Sequence, residues 1–108
     1  MALSTRVIGK FGGAPEIKTG SLSGQSTTLN LTNGQWLLAV KIIPYPSAIV
    51  TQGIKINDIT TASVKLYNAS DSYFYGVATV NGGTVKVSVT SSNTNFGTLD
   101  SYIAVKTS

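Results

Sequence analysis

Apolar and polar residues alternate with a period of two along most of this chain, and no stretch sustains the period of an amphipathic helix. β-Branched residues and turn formers dominate, so the pattern predicts short strands separated by Gly, Asn, Ser and Pro clusters. At the N-terminal end, residues 5–10 predict a strand and Phe11-Gly12-Gly13-Ala14-Pro15 a break. Residues 16–22 predict a second short strand, and Ser23-Gly24-Gln25-Ser26 a loop. Residues 1–26 are the least regular part and read as a candidate extended arm.

Two hairpins are expected. Residues 27–32 and 35–43 flank Asn33-Gly34, a dipeptide suited to the positive dihedrals of a tight two-residue turn. Such a turn would pair Thr32 with Gln35 and place Leu29, Leu31, Trp36 and Leu38 on one face, extended by Val40 and Ile42. Leu37, Ala39 and Ile43 occupy the opposite face, interrupted by Lys41, so this strand is expected at the centre of a sheet. Residues 73–80 and 84–90 flank Asn81-Gly82-Gly83. A two-residue turn at either Asn-Gly or Gly-Gly aligns Phe74, Gly76, Ala78 and Val80 with Val85, Val87 and Val89.

Between these hairpins, Pro44-Tyr45-Pro46 ends a strand because proline cannot donate to the ladder. Residues 47–52 are a candidate strand broken at Gly53, followed by inward Ile54 and Ile56 with Lys55 and Asn57 outward. Residues 58–61 predict a turn, residues 63–67 a strand with Val64 and Leu66 inward, and residues 68–72 another turn. Residues 91–97 read as a polar loop and residues 100–107 as the last strand, with Ile103 and Val105 inward. Seven to nine strands in 108 residues imply a single all-β domain. Its expected architecture is a two-sheet antiparallel β-sandwich or a jelly-roll-like fold.

Composition narrows the chemistry. There is no histidine and no cysteine, which removes the usual general base, thiolate nucleophile and soft metal ligand. The four acids, Glu16, Asp58, Asp71 and Asp100, are scattered and mostly fall in predicted turns, where capping accounts for them. No enzyme activity, catalytic residue, metal or cofactor is expected. The oxygen-rich stretch from Asn68 to Ser72 reads as an Asx turn in preference to a calcium loop. The sequon matches at Asn30 and Asn68 are taken as chance, since no secretory signal pattern precedes them.

Charged residues make up only 11% of the chain, with a net charge of +4, so Ser, Thr, Asn and Gly must supply most of the polar surface. Lys41, Lys55, Lys65 and Lys86 fall at outward positions on four different strands. That dispersion suits a guard against edge-to-edge pairing better than a nucleic-acid stripe, and nucleic acid is not an expected partner. No segment reaches the length of a helical membrane span. The candidate binding residues are aromatic and polar: Tyr73 and Tyr75 with Lys86 across the expected hairpin, joined by Tyr67, Asn68 and Asp71. Exposed tyrosines are amphipathic and suit contact with sugar or protein.

The Ser/Thr/Asn/Gly-rich strands at residues 26–41 and 83–90, the irregular N-terminal part and the lack of Cys and His together resemble the small β-sandwich virion proteins of tailed bacteriophages. Head decoration, fibre and receptor-binding tail proteins belong to this group. The resemblance is one of style, without a diagnostic motif, and carries over no functional residue. It implies a non-enzymatic virion structural protein that is made in the host cytoplasm and assembles as a homo-oligomer with other virion proteins. The alternative expectation is a carbohydrate- or receptor-binding β-sandwich module that contacts a surface glycan.

Overall fold

The computed structural model describes residues 16–47, 49–65 and 72–108. The expectations at residues 5–15, at Leu66 and at the candidate residues Tyr67, Asn68 and Asp71 lie outside the described residues. Eight strands are described: β1 (Ile17–Ser21), β2 (Ser26–Asn30), β3 (Gly34–Ile43), β4 (Thr51–Ile56), β5 (Ile59–Lys65), β6 (Tyr73–Val80), β7 (Thr84–Ser91) and β8 (Thr98–Lys106). They form two antiparallel four-stranded sheets, ordered β1-β8-β3-β6 and β2-β7-β4-β5. The chain passes from one sheet to the other at each connection except β4–β5, the alternation of a jelly roll. The expected all-β sandwich is therefore what the chain forms, and β3 is a central strand as its apolar character predicts.

Both expected hairpins are absent. β2 pairs with β7, while β3 pairs with β6 and β8 in the other sheet. Likewise β6 and β7 lie in different sheets. Asn33-Gly34 and Asn81-Gly82-Gly83 are crossings between sheets, and they are tied to each other. The Asn33 side-chain oxygen accepts hydrogen bonds from the backbone N–H groups of Gly82 at 2.9 Å and Gly83 at 2.8 Å. The Leu31 N–H donates to the Gly83 carbonyl at 3.1 Å. Gly34 has φ 140°, and a Cβ there would meet the Ser108 carbonyl oxygen, so glycine is required for this crossing as well as for tight turns.

The expected facing nevertheless survives. Two strands joined by a crossing turn their inner sides toward the same core, just as two strands of a hairpin do. Leu29, Leu31, Trp36, Leu38, Val40, Ile42, Phe74, Ala78, Val80, Val85, Val87 and Val89 are all buried between the sheets with Ile54, Ile56, Leu99 and Ala104. Trp36 is 0% exposed, and its indole N–H donates to the Thr32 carbonyl at 2.8 Å. That bond satisfies the one polar atom the ring brings into the core.

Four local expectations need correction. Gly53 does not break a strand: β4 runs through it, and a register shift against β5 between Gly53 and Lys55 absorbs the irregularity. The turn after β4 is Asn57-Asp58, with Asn57 at φ 55°, so β5 already begins at Ile59. Val64 lies opposite the inward-facing Gln52 but stays 45% exposed, because β5 is the edge strand. In β8, Ile103 and Val105 face outward. The pairing of β3 with β8 slips at Asp100, between Lys41–Ser101 and Ile42–Leu99. Leu99 is inward, but the extra residue reverses the phase, so that Ala104 faces the core and Ile103 does not.

Buried polar groups are spent on joining elements. The Gln52 side chain accepts from the Tyr45 N–H at 2.7 Å and donates to the Tyr45 carbonyl at 2.8 Å, which pins the segment after β3. The Ser72 hydroxyl donates to the Ile42 carbonyl, and the Ile42 N–H donates to the Ser72 carbonyl at 3.1 Å, extending β6 alongside β3.

Candidate functional site

The outer face of the β1-β8-β3-β6 sheet follows from register alone. Val77, Leu37, Val105 and Ile17 lie in one row across the strands. Tyr75, Ala39, Ile103 and Thr19 form the next row, and Tyr73, Lys41, Ser101 and Ser21 the one after. Tyr75 is 64% and Val77 62% exposed, and Leu37, Ile103 and Ile17 are also exposed. A contiguous apolar surface on a sheet face is a mark of binding, since single exposed apolar residues are ordinary but grouped ones are not.

Tyrosines define one margin of this face. Tyr73 and Tyr75 project from the same side of β6, with ring centroids 6.4 Å apart and 31° between ring planes. The Lys41 Nζ lies 5.9 Å from the Tyr73 ring centroid, within reach of a cation–π attraction. The ladder fixes the tyrosine backbones, so the rings form a platform whose layout does not depend on a loop. Ser101, beside Lys41 on β8, adds a hydroxyl to the same row.

Of the expected site residues, Tyr73 and Tyr75 are together, but Lys86 is not with them. Lys86 lies on β7, in the other sheet, and faces outward from the opposite side of the sandwich beside Thr28 of β2. Its expected place beside the tyrosines depended on a β6–β7 hairpin that does not form. Lys41 takes that place, because β3 is the real partner of β6. In the sequence Lys41 stands out as an interruption of an apolar face and as one of four outward lysines; that no other charge breaks the β3 run was the available signal for its place here.

The other outer face is polar. Lys55 lies opposite Ser88, Thr28 opposite Lys86, and Ser26 opposite Ser88 with their hydroxyls 3.2 Å apart. Three of the four outward lysines, Lys55, Lys65 and Lys86, belong to this sheet. They are thus less dispersed than their sequence positions suggest. Among the described residues no three His, Cys, Asp or Glu side chains converge on a possible metal position.

No family model and no curated protein matches the chain. Among solved structures it is similar to the C-terminal domain of EclA, a sugar-binding protein. The identity is 16% and the TM-score 0.52, over 84% of this chain and 75% of that one. It is also similar to the CBM36-1 domain of a multidomain xylanase from the hindgut metagenome of Trinervitermes trinervoides, at 14% identity and TM-score 0.49, over 88% and 98% of the two chains. Pika GITRL aligns at 13% identity and TM-score 0.46, over 87% and 96%. At these identities the likeness is one of fold.

Proposed function

We propose that the chain is a non-catalytic binding module that takes up carbohydrate on the aromatic margin of its apolar sheet face. The observation that carries this reading is the exposed Tyr73–Tyr75 pair on a rigid strand, with Lys41 and Ser101 in the adjoining row. Sugar rings present apolar C–H faces that rest on aromatic rings, while their hydroxyls need polar partners at the margin. The tyrosine hydroxyls, the Lys41 ammonium and the Ser101 hydroxyl are such partners. The fold shared with a sugar-binding domain supports the reading, though jelly rolls also build capsid proteins and fold by itself does not assign function. The test is calorimetric titration of the full chain with a panel of neutral polysaccharides. Tyr75→Ala is expected to weaken the observed binding about tenfold or more without shifting the unfolding midpoint. Equal binding by parent and variant would remove the tyrosine platform from the reading.

The aliphatic part of the same face favours a second reading. Leu37, Val77, Ile103 and Ile17 are exposed next to one another and offer little to a sugar hydroxyl. A face of this kind suits contact with protein neighbours, as assembly into a virion or a homo-oligomer requires. Sedimentation at increasing concentration tests it: Leu37→Lys should abolish association seen in the parent. A parent that stays monomeric throughout would remove self-assembly from consideration.

A further inference from the structure

The polar face of the β2-β7-β4-β5 sheet carries a recess of about 320 Å³ that the carbohydrate reading does not use. Lys55, Asn57, Asp58, Lys86, Ser88 and Thr90 are among the residues that line it. Its base is held by two hydrogen bonds: the Asn57 N–H donates to the Lys86 carbonyl at 2.7 Å, and the Lys86 N–H donates to the Asn57 side-chain oxygen at 3.0 Å. Lys55 stands opposite Ser88, and Lys86 is two residues before Ser88 on β7, so the two lysines are diagonal neighbours on one face. The backbones of diagonal neighbours in a sheet lie about 7–8 Å apart, so two long lysine side chains rooted there can both reach one anion. Two cations, one carboxylate and several hydroxyls therefore surround this recess.

We propose that this recess is an anion site and that its ligand is a sulfate group of an acidic polysaccharide. The ammonium groups of Lys55 and Lys86 would hold the sulfate oxygens, and the hydroxyls of Ser88 and Thr90 would bond to sulfate or to the attached sugar. Single-stranded nucleic acid is the other polyanion to weigh. Proteins that bind it combine cationic charge with aromatic stacking on one surface. Here the tyrosine pair lies on the opposite side of the sandwich, and Phe96, the aromatic residue lining the recess, is partly buried against the core, so bases held at Lys55 and Lys86 would have no open pair of rings to stack on. Asp58 limits the affinity, since its carboxylate repels the same group that the lysines attract.

The test is titration of the full chain with four probes at matched ionic strength: a heparin-derived octasaccharide, its desulfated counterpart, sodium sulfate and a single-stranded oligothymidylate. The sulfated octasaccharide is expected to bind best, and its affinity to fall as salt is raised. Lys55→Gln with Lys86→Gln should weaken it about tenfold or more, whereas Lys18→Gln with Lys106→Gln, which removes the same charge elsewhere, should have a much smaller effect. Asp58→Asn should strengthen binding, and any binding of the desulfated octasaccharide should be indifferent to the Lys55 and Lys86 changes, which separates this site from the tyrosine platform. Equal losses from the two lysine pairs would reduce the binding to net charge and overturn the site. Sodium sulfate binding as well as the octasaccharide would make it a site for free anions, and tighter binding of the oligothymidylate would make it a nucleic-acid site. Weaker binding by Asp58→Asn would overturn the proposed geometry.

Discussion

The two outer faces of the sandwich rest on one core and are built by the same alternation, yet they differ in chemistry. One presents Tyr75, Val77, Leu37, Ile103 and Ile17, and the other Lys55, Lys86, Ser88 and Thr28. Outward residues do little to hold a sandwich together, because its stability comes mainly from the apolar area removed from water between the sheets. Polar outward residues on the lysine face are what an antiparallel sheet ordinarily shows to solvent. Apolar outward residues on the tyrosine face are not required by the fold, and a persistent departure of that kind points to a partner. Under the two proposals the contrast also separates two kinds of recognition: stacking and apolar contact on one side, ion pairing on the other.

The largest expected effect tests the common support of the two faces. Trp36 is fully buried between the sheets, so Trp36→Ala should cost about 3–5 kcal/mol in denaturant unfolding, the usual range for truncating a large aromatic residue in a core. Such a loss is a large share of the roughly 5–15 kcal/mol that stabilises a typical domain, and the binding proposed for each face should be lost together with the other. Loss of one binding activity with retained stability would mean that the faces do not share this core.

A smaller effect is expected from Asn33→Ala. It removes the acceptor for the Gly82 and Gly83 N–H groups and loosens the tie between the β2–β3 and β6–β7 crossings, which hold the two sheets together at one end. The site is exposed, so water replaces part of what is lost, and the cost should be about 0.5–1.5 kcal/mol in the same unfolding assay. A cost near zero would show that packing alone sets the relation between the faces.

The smallest stability change belongs to Leu37→Lys, which follows Trp36 in the chain but points to the opposite side. It makes the apolar face more like the lysine face and should alter unfolding free energy by no more than about 0.5 kcal/mol, as for surface substitutions in general. A cost of several kcal/mol would mean that this face is covered and that the contrast between the faces is false.

Much of the inner surface was legible before any pairing was known. Alternation places Leu29, Trp36, Leu38, Phe74, Val85 and Val87 on the buried side whatever strand lies next to them. The tyrosine pair was legible for the same reason, since Tyr73 and Tyr75 are two apart on one strand. The companion of the tyrosines was not legible. Lys86 and Lys41 are both outward lysines on apolar strands, and only the pairing of β6 with β3 selects Lys41. The lysine recess was hidden in the same way, because Lys55 and Lys86 become neighbours only through the β4–β7 ladder.

What the amino-acid sequence determined by itself was the β class, the inward and outward sides of most strands, and the central place of the strand around Trp36. These depend on local backbone preference and on a side-chain period of two, which act along a single strand. The tertiary structure alone decided which strands pair and therefore what each outer face contains. A glycine-bearing turn permits a sharp change of direction but does not say whether the chain returns beside itself or crosses to another sheet. At Asn33-Gly34 and at Asn81-Gly82-Gly83 it crosses. At Asp100 one residue without a partner on β3 reverses the phase of β8 and turns Ile103 and Val105 outward, because a ladder that slips by one residue exchanges its two faces.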